Sequence, residues 1–318
     1  MSRRAFLAMA AASAAPIKAG PARKQVPVGA LVYAVIDDWN KDPDATAVAL
    51  AKMGFTGLEI TSYMPQWDAA KCKAFRKVMD ANELKCYATH TEPGYFVPSD
   101  DMKRMIEMNH ILGAQTISCV RGLAASAMPP VNNPDSARNR GGRSPGAAKK
   151  GGENEIGYHP RSANEADCWK ELADMLQNAA VMLKKEKFVL SFHNHTQEFQ
   201  YRKNGVGRPI DILASAPDLV FSTDTNVAVR AGSDIVAFIR QYPGKCNSLL
   251  LTDGPNDAEG HVPALGKGDL PWNNIFDAAE GPGGIRFYLL THGPNIAPGA
   301  TRMAAIKADL AQYKIIHG

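Results

Sequence analysis

The chain has no apolar run near the roughly 20 residues needed to span a bilayer, so no stable membrane insertion is expected of its 318 residues. It also has little excess charge. The formal net charge is +4, and Arg3, Arg4 and Lys18 carry three of those charges with no acid among the first nineteen residues, which leaves the rest at +1. A surface so nearly balanced gives no electrostatic footprint for nucleic acid, and the basic stretch at 138–150 reads as a solvated loop. Zinc spacing is missing too. Cys72, Cys86, Cys119, Cys168 and Cys246 form no CxxC, and their odd number excludes a fully paired framework. Cys86 and Cys119 lie in apolar runs and are expected as buried small side chains, while one disulfide stays open in an oxidising compartment. Nor does a glycine-rich phosphate loop follow the first apolar run, where VYAVIDDW stands. That weighs against a doubly wound nucleotide-binding sheet and against a phosphorylated substrate.

What is present begins with MSRRAFLAMAAASAAPIKAG. An arginine pair before Phe6–Leu7, an alanine-rich weakly apolar stretch and small residues at Ala12, Ser13 and Ala14 read as a twin-arginine signal over 1–19. Cleavage is expected between Ala14 and Ala19, with the protein exported already folded and acting in the periplasm. The remainder, 26–318, has the composition of one soluble globular domain, 45% apolar and 21% charged over the whole chain.

Short apolar runs then alternate with helical periodicity. Strands are expected at 27–36, 55–61, 84–90, 114–120, 187–195, 218–224, 248–254 and 285–293, with helices at 44–54, 67–83, 99–113, 165–186 and 299–314 and shorter pieces between. Eight strands, each followed by a helix or turn, predict an α/β fold of the (β/α)8 TIM-barrel type. The one irregular stretch, 121–162, is rich in Gly, Pro, Asn and Arg. Because the alternation resumes at once, it reads as an inserted loop on the catalytic face and not as an interdomain linker.

The barrel gives the polar residues a common address at C-terminal strand ends. Glu59 ends the second strand, His90 the third, Arg121 the fourth, His193 and His195 the fifth, Asp224 the sixth, Asp253 the seventh and His292 the eighth. In FHNHT, alternation puts His193 and His195 on one face and Asn194 on the other. Such a pair suits a divalent metal or a sugar polyhydroxyl, or else lines a polar pocket as a hydrogen-bonded pair. His193 with Asp224 offers an imidazole and a carboxylate for Mn2+ or Zn2+. LLTDGPN (250–256) and LLTHGPN (290–296) echo one another, which makes Asp253 and His292 further candidate ligands or acid–base groups. Glu59 and His90 would each cost free energy if buried alone. Together they can serve as base and acid beside a carbonyl, or as an ion pair supporting the barrel.

GFTGLEIT, LKCYATHTEPG, SFHNHTQEF, FSTDTNVAVRAG with DIVAFIRQYPGK, and VPALGKGDLPWNNIFDAA together resemble the sugar phosphate isomerase/epimerase-like family, whose members share a xylose-isomerase-type TIM barrel. The likeness spans roughly 28–315 outside the insertion. It implies a divalent ion held from strands five to eight, with His193 and Asp224 at two ligand positions. The strand-seven histidine of the family falls on Leu250 or Leu251, and its last glutamate near Thr291, beside His292. Three outcomes follow. Asp253 and His292 complete a metal site, or Glu59, His90 and His195 work without metal, or the pocket only binds carbohydrate. The resemblance implies an isomerase or epimerase that abstracts a proton next to a carbonyl, and the export signal together with the missing phosphate loop makes its expected substrate an unphosphorylated sugar or sugar derivative. Arg121, Asn194, Glu198 and Asn226 would hold that substrate. A lyase or hydratase acting on keto-glycosides is the alternative. The expected partner is a small-molecule carbohydrate, and a homo-oligomer is left open.

Overall fold

The structure is a computed structural model of the chain and describes residues 23, 25–61, 66–123, 158, 160–162, 164–202, 206–292, 296 and 299–318. The signal expected at 1–19, most of the insertion expected at 121–162 and the Gly-Pro-Asn of the second echo lie outside the described residues.

Eight parallel strands, β1 (Val28–Leu31), β2 (Gly57–Ile60), β3 (Lys85–Thr91), β4 (Thr116–Cys119), β5 (Val189–His193), β6 (Val220–Asp224), β7 (Cys246–Leu251) and β8 (Phe287–Leu290), close in sequence order into a barrel. Closure is made by Val28, Gly29 and Ala30 pairing Tyr288, Leu289 and Leu290. The surrounding helices are α1 (Ile36–Lys41), α2 (Pro43–Met53), α3 (Ala69–Ala81), α4 (Asp100–Leu112), α5 (Glu165–Lys185), α6 (Thr196–Phe199), α7 (Pro209–Ala214), α8 (Thr225–Arg230), α9 (Ile235–Gln241), α10 (Trp272–Ala278) and α11 (Arg302–Ile316). None of them is long and apolar enough to cross a membrane.

Local chemistry sets the helix bounds. Ser99 accepts from the amide of Met102 at 3.1 Å to start α4, which stops at Gly113 in the left-handed region (φ 69°). Asn164 starts α5 in the same way, accepting from Ala166 and Asp167. The first strand is shorter than expected. It ends at Leu31, and Val32–Val35 form a 3-10 turn with Val32, Ala34 and Val35 buried. The β-branched Val32 and Val35 favour a strand, so local propensity does not decide this segment. All five cysteines are free and buried, so no disulfide forms.

Alternation along the strands separates two interiors. Leu58, Ile60, Ile117, Leu190, Phe192, Phe221, Leu249 and Leu251 pack outward in one large core. Leu31, Tyr87, Ala88, Leu250, Phe287 and Leu289 form a second cluster that plugs the barrel, where the Tyr87 and Phe287 rings stack at 5.1 Å. A Cβ on Gly57 would lie 2.5 Å from the Tyr87 ring and one on Gly29 2.8 Å from it, so these two strands need glycine to admit the ring. Beside this plug sits a buried polar set: Glu59, Ser118, Ser191, Ser222 and Ser248.

Candidate active site at the barrel mouth

The third, fourth and fifth strands supply the centre of the site. Thr89 turns outward to Asn109 of α4, so its neighbour His90 turns inward. There His90 Nε2 lies 3.0 Å from Glu59 Oε1, and Ser118 Oγ donates to that same oxygen at 3.0 Å. Ser118 in turn meets Ser191 Oγ at 2.8 Å. Glu59 is wholly buried, and neither its Oε2 nor His90 Nε2 has a hydrogen-bond partner, so the 3.0 Å approach is an ionic contact without hydrogen-bond geometry. A carboxylate so placed is costly to keep unless it has a task.

From His90 the imidazoles continue in a row. His90 and His193 have ring centroids 5.1 Å apart, and His193 and His195 5.2 Å apart. Burial, then the neighbouring His90 and His195, then Arg121 hold His193 well below the usual histidine range. Burial first, and then Arg121 and His90, hold His195 down to about 4. Both rings are therefore neutral near pH 7 and present lone pairs. Arg121 follows β4, and its Nε meets Glu92 Oε1 at 3.3 Å.

Asn194 and Glu198 each spend one oxygen on positioning, while Asn194 Nδ2 and Glu198 Oε1 are left without a hydrogen-bond partner. Asn194 Oδ1 accepts from the Asp224 amide at 3.1 Å, tying β5 to β6. Glu198 Oε2 accepts from the His195 amide at 2.7 Å, fixing the backbone that presents His195. The Glu198 side chain fits only because residue 122 is glycine, since a Cβ there would lie 2.6 Å from Oε1. Burial pushes the Glu198 carboxyl up to about 7 and that of Asp224 up to about 6. One Asp224 oxygen is used on the Val227 amide at 3.0 Å, capping α8. Asn226 Nδ2 donates to the Asp253 carbonyl and to Asn256 Oδ1, so it serves the β7 loop.

The four expected metal ligands do not converge. The Asp253 carboxylate is consumed by four donors: the amides of Gly254 (2.8 Å), Gly266 (2.6 Å) and Gly268 (3.1 Å), and Trp272 Nε1 (3.0 Å). It is a loop anchor. His292 Nδ1 is 2.7 Å from Asp309 Oδ2 on α11, which places the ring proton on Nδ1 and leaves Nε2 as the acceptor. Leu250, where the resemblance placed a histidine, pairs with Asp224 in register and lies wholly buried in the barrel plug. Among the described residues, no three of His193, Asp224, Asp253 and His292 bring ligand atoms within 4.8 Å of one another, and the Asp253 carboxylate is already spent. Among the described residues, the set of three side chains with ligand atoms within 4.8 Å of one another is Asp257, Glu259 and His261, on the exposed loop after β7. That small acidic and histidine set could coordinate a divalent cation.

Sequence reasoning missed Glu92, which precedes the 3-10 turn after β3 and holds Arg121, and the inward serines. Glu92 lies two residues past His90, and that spacing was its only signal.

A family model described as xylose isomerase-like TIM barrel matches residues 47–311. Among solved structures, a sugar phosphate isomerase/epimerase from Parabacteroides distasonis is 18% identical, covering 92% of this chain and 95% of its own, with a TM-score of 0.66. A D-psicose 3-epimerase from Clostridium cellulolyticum H10, solved with D-tagatose, is 15% identical over 92% and 94% (TM-score 0.55). A probable 3-DHS dehydratase from Bacillus anthracis is 10% identical over 91% and 98% (TM-score 0.58). At these identities the likeness is one of fold. No curated protein matches the chain by sequence.

Proposed function

The chain belongs to the xylose isomerase-like TIM barrel family, and from that premise we propose that it is a carbohydrate isomerase or epimerase acting on an unphosphorylated sugar or sugar derivative. One observation supports this most directly: Glu59, wholly buried, holds His90 Nε2 at 3.0 Å at the barrel mouth. In this reading His90 Nδ1 takes a proton from the carbon beside a carbonyl, while the buried carboxylate 3.0 Å from its Nε2 stabilises the imidazolium that results. The C–H electron pair becomes the carbon–carbon double bond of an enediolate, and the carbonyl pair moves onto oxygen. Return of that proton to the neighbouring carbon, with the hydroxyl proton passing between the two enediol oxygens, isomerises the sugar, whereas epimerisation takes a proton onto the same carbon from the opposite face.

Family membership suggests a divalent ion, which would polarise the two substrate oxygens. The donor set at the mouth does not fit such an ion, so no step is routed through it. Export is part of the reading and rests on the arginine pair and alanine-rich stretch of residues 1–19. Export is tested by whether the protein stays cytoplasmic when Arg3 and Arg4 are both changed to lysine.

The deciding experiment is solvent deuterium incorporation into neutral aldoses and ketoses, followed by mass spectrometry. Carbon-bound deuterium in recovered sugar supports the proposal, and a free aglycone from a keto-glycoside points to the lyase instead. Leu250 and the spent Asp253 carboxylate favour a second reading, a carbohydrate-binding protein without turnover. Sugar binding with no exchange in any substrate would establish it.

A further inference from the structure

An enediolate forming at this mouth needs a cation or strong donors where its oxygen charge develops. The metal positions do not provide one, since Leu250 is apolar and the Asp253 carboxylate is committed to four N–H groups. The fold does bring another cation to the place. Strand β4 lies between β3 and β5, with His90 paired to Ser118 and Ser118 to Ser191. Arg121 leaves the end of β4, between the strand that carries His90 and the strand that ends in His193. Its other flank is equally defined, because Gly122 packs directly against Glu198, the residue that fixes the His195 backbone.

The state of the guanidinium suits the task. Glu92 holds only Nε, at 3.3 Å, which is long for a charge-assisted contact. Nη1 and Nη2 make no hydrogen bond to another described residue. The side chain is 47% exposed, so it is open to a ligand.

We propose that Arg121 is a catalytic residue whose guanidinium binds the enediolate oxygens in place of a metal ion, with Glu92 as its positioning residue. The inference rests on the proton-transfer reading above and assigns the charge-stabilising group within it. Atoms balance without any further reactant, because the negative charge that Arg121 neutralises is the pair displaced from the carbonyl. It disappears when the proton returns.

The test has an activity arm and a binding arm. In the first, protein dialysed against EDTA should exchange deuterium at its original rate. Arg121→Ala should lose about a hundredfold or more, as removal of an oxyanion donor does elsewhere, and added guanidinium chloride should restore about tenfold of it. Unchanged turnover in Arg121→Ala, or loss in EDTA reversed by Mn2+, overturns the inference. In the second arm, calorimetry with oxalate, a planar mimic of the enediolate, needs no turnover. EDTA-treated wild type should bind oxalate, and Arg121→Ala should bind it about tenfold more weakly or worse, with Glu92→Gln in between. Equal oxalate affinity in wild type and Arg121→Ala overturns the proposal even if no sugar substrate is found. Stoichiometric Mn2+ lost in His193→Ala and Asp224→Ala would do the same. Weak Mn2+ lost only in His261→Ala belongs to the exposed loop and leaves the inference standing. Absence of exchange in every sugar, with Arg121-dependent oxalate binding kept, would sink the isomerase reading while preserving the anion site.

Discussion

Glu59 Oε1, wholly buried, lies 3.0 Å from His90 Nε2. Ser118 shares the same oxygen at 3.0 Å and fixes the carboxylate from the fourth strand. A histidine reaching toward the mouth beside an enclosed carboxylate has a negative charge at hand for the imidazolium that proton transfer would create.

Glu59→Gln should therefore keep the fold and lose proton transfer. The amide can still meet Ser118 and His90, but it carries no charge to stabilise an imidazolium. Exchange of deuterium into substrate should fall by about 10²-fold, while the thermal midpoint stays within about 2 °C of wild type. An unaltered exchange rate would assign the pair to barrel support alone.

The pairing was legible in the sequence because strands have period 2. Glu59 sits between the apolar Leu58 and Ile60 of GLEI, which marks it as inward, and His90 lies between two threonines, the first of which turns outward to Asn109. The same parity marks His193 and the barrel itself. Asp253 was misread for a physical reason: its partners are the amides of residues 266 and 268 and the indole of Trp272, brought back by a loop whose path no local pattern encodes. Asn226 also turns to that loop. Leu250 faces the plug as strand alternation requires, so the missing ligand was visible in advance, but its consequence needed the geometry of Asp253.

Asp253→Ala should accordingly behave as a stability variant. It leaves three backbone amides and an indole N–H without their acceptor, at a cost of about 3 kcal/mol. Urea denaturation should show that loss, and Mn2+ binding should not change. A fully stable variant with weakened metal binding would return Asp253 to the role first expected of it.

The close fit of Glu198 against Gly122 yields a second packing test. A Cβ on residue 122 would stand 2.6 Å from Glu198 Oε1 and 3.0 Å from the Trp169 ring, in a place already filled. Gly122→Ala should cost about 1–3 kcal/mol. Adding Glu198→Ala should recover part of that cost, since the two changes touch the same space. Strict additivity in the double variant would show that the strain lies only against Trp169.

Glu198 also predicts how stability responds to pH. Burial raises its folded pKa to about 7, above the ordinary 4.5, so between those values the folded state binds a proton that the unfolded chain has released. Stability from this group is full below about 4.5 and declines as pH rises through 7. The loss between pH 5 and pH 8 is about 2–3 kcal/mol. His195 acts oppositely, with a folded value of about 4, and its contribution is regained as pH rises from 4 to 6.5. Glu198→Gln keeps an acceptor for the His195 amide and removes the titration. Guanidinium denaturation at pH 5 and pH 8 should show the variant close to wild type at the lower pH and more stable than wild type at the higher. A constant difference across that range would mean that Glu198 ionises inside the fold as freely as it does in water.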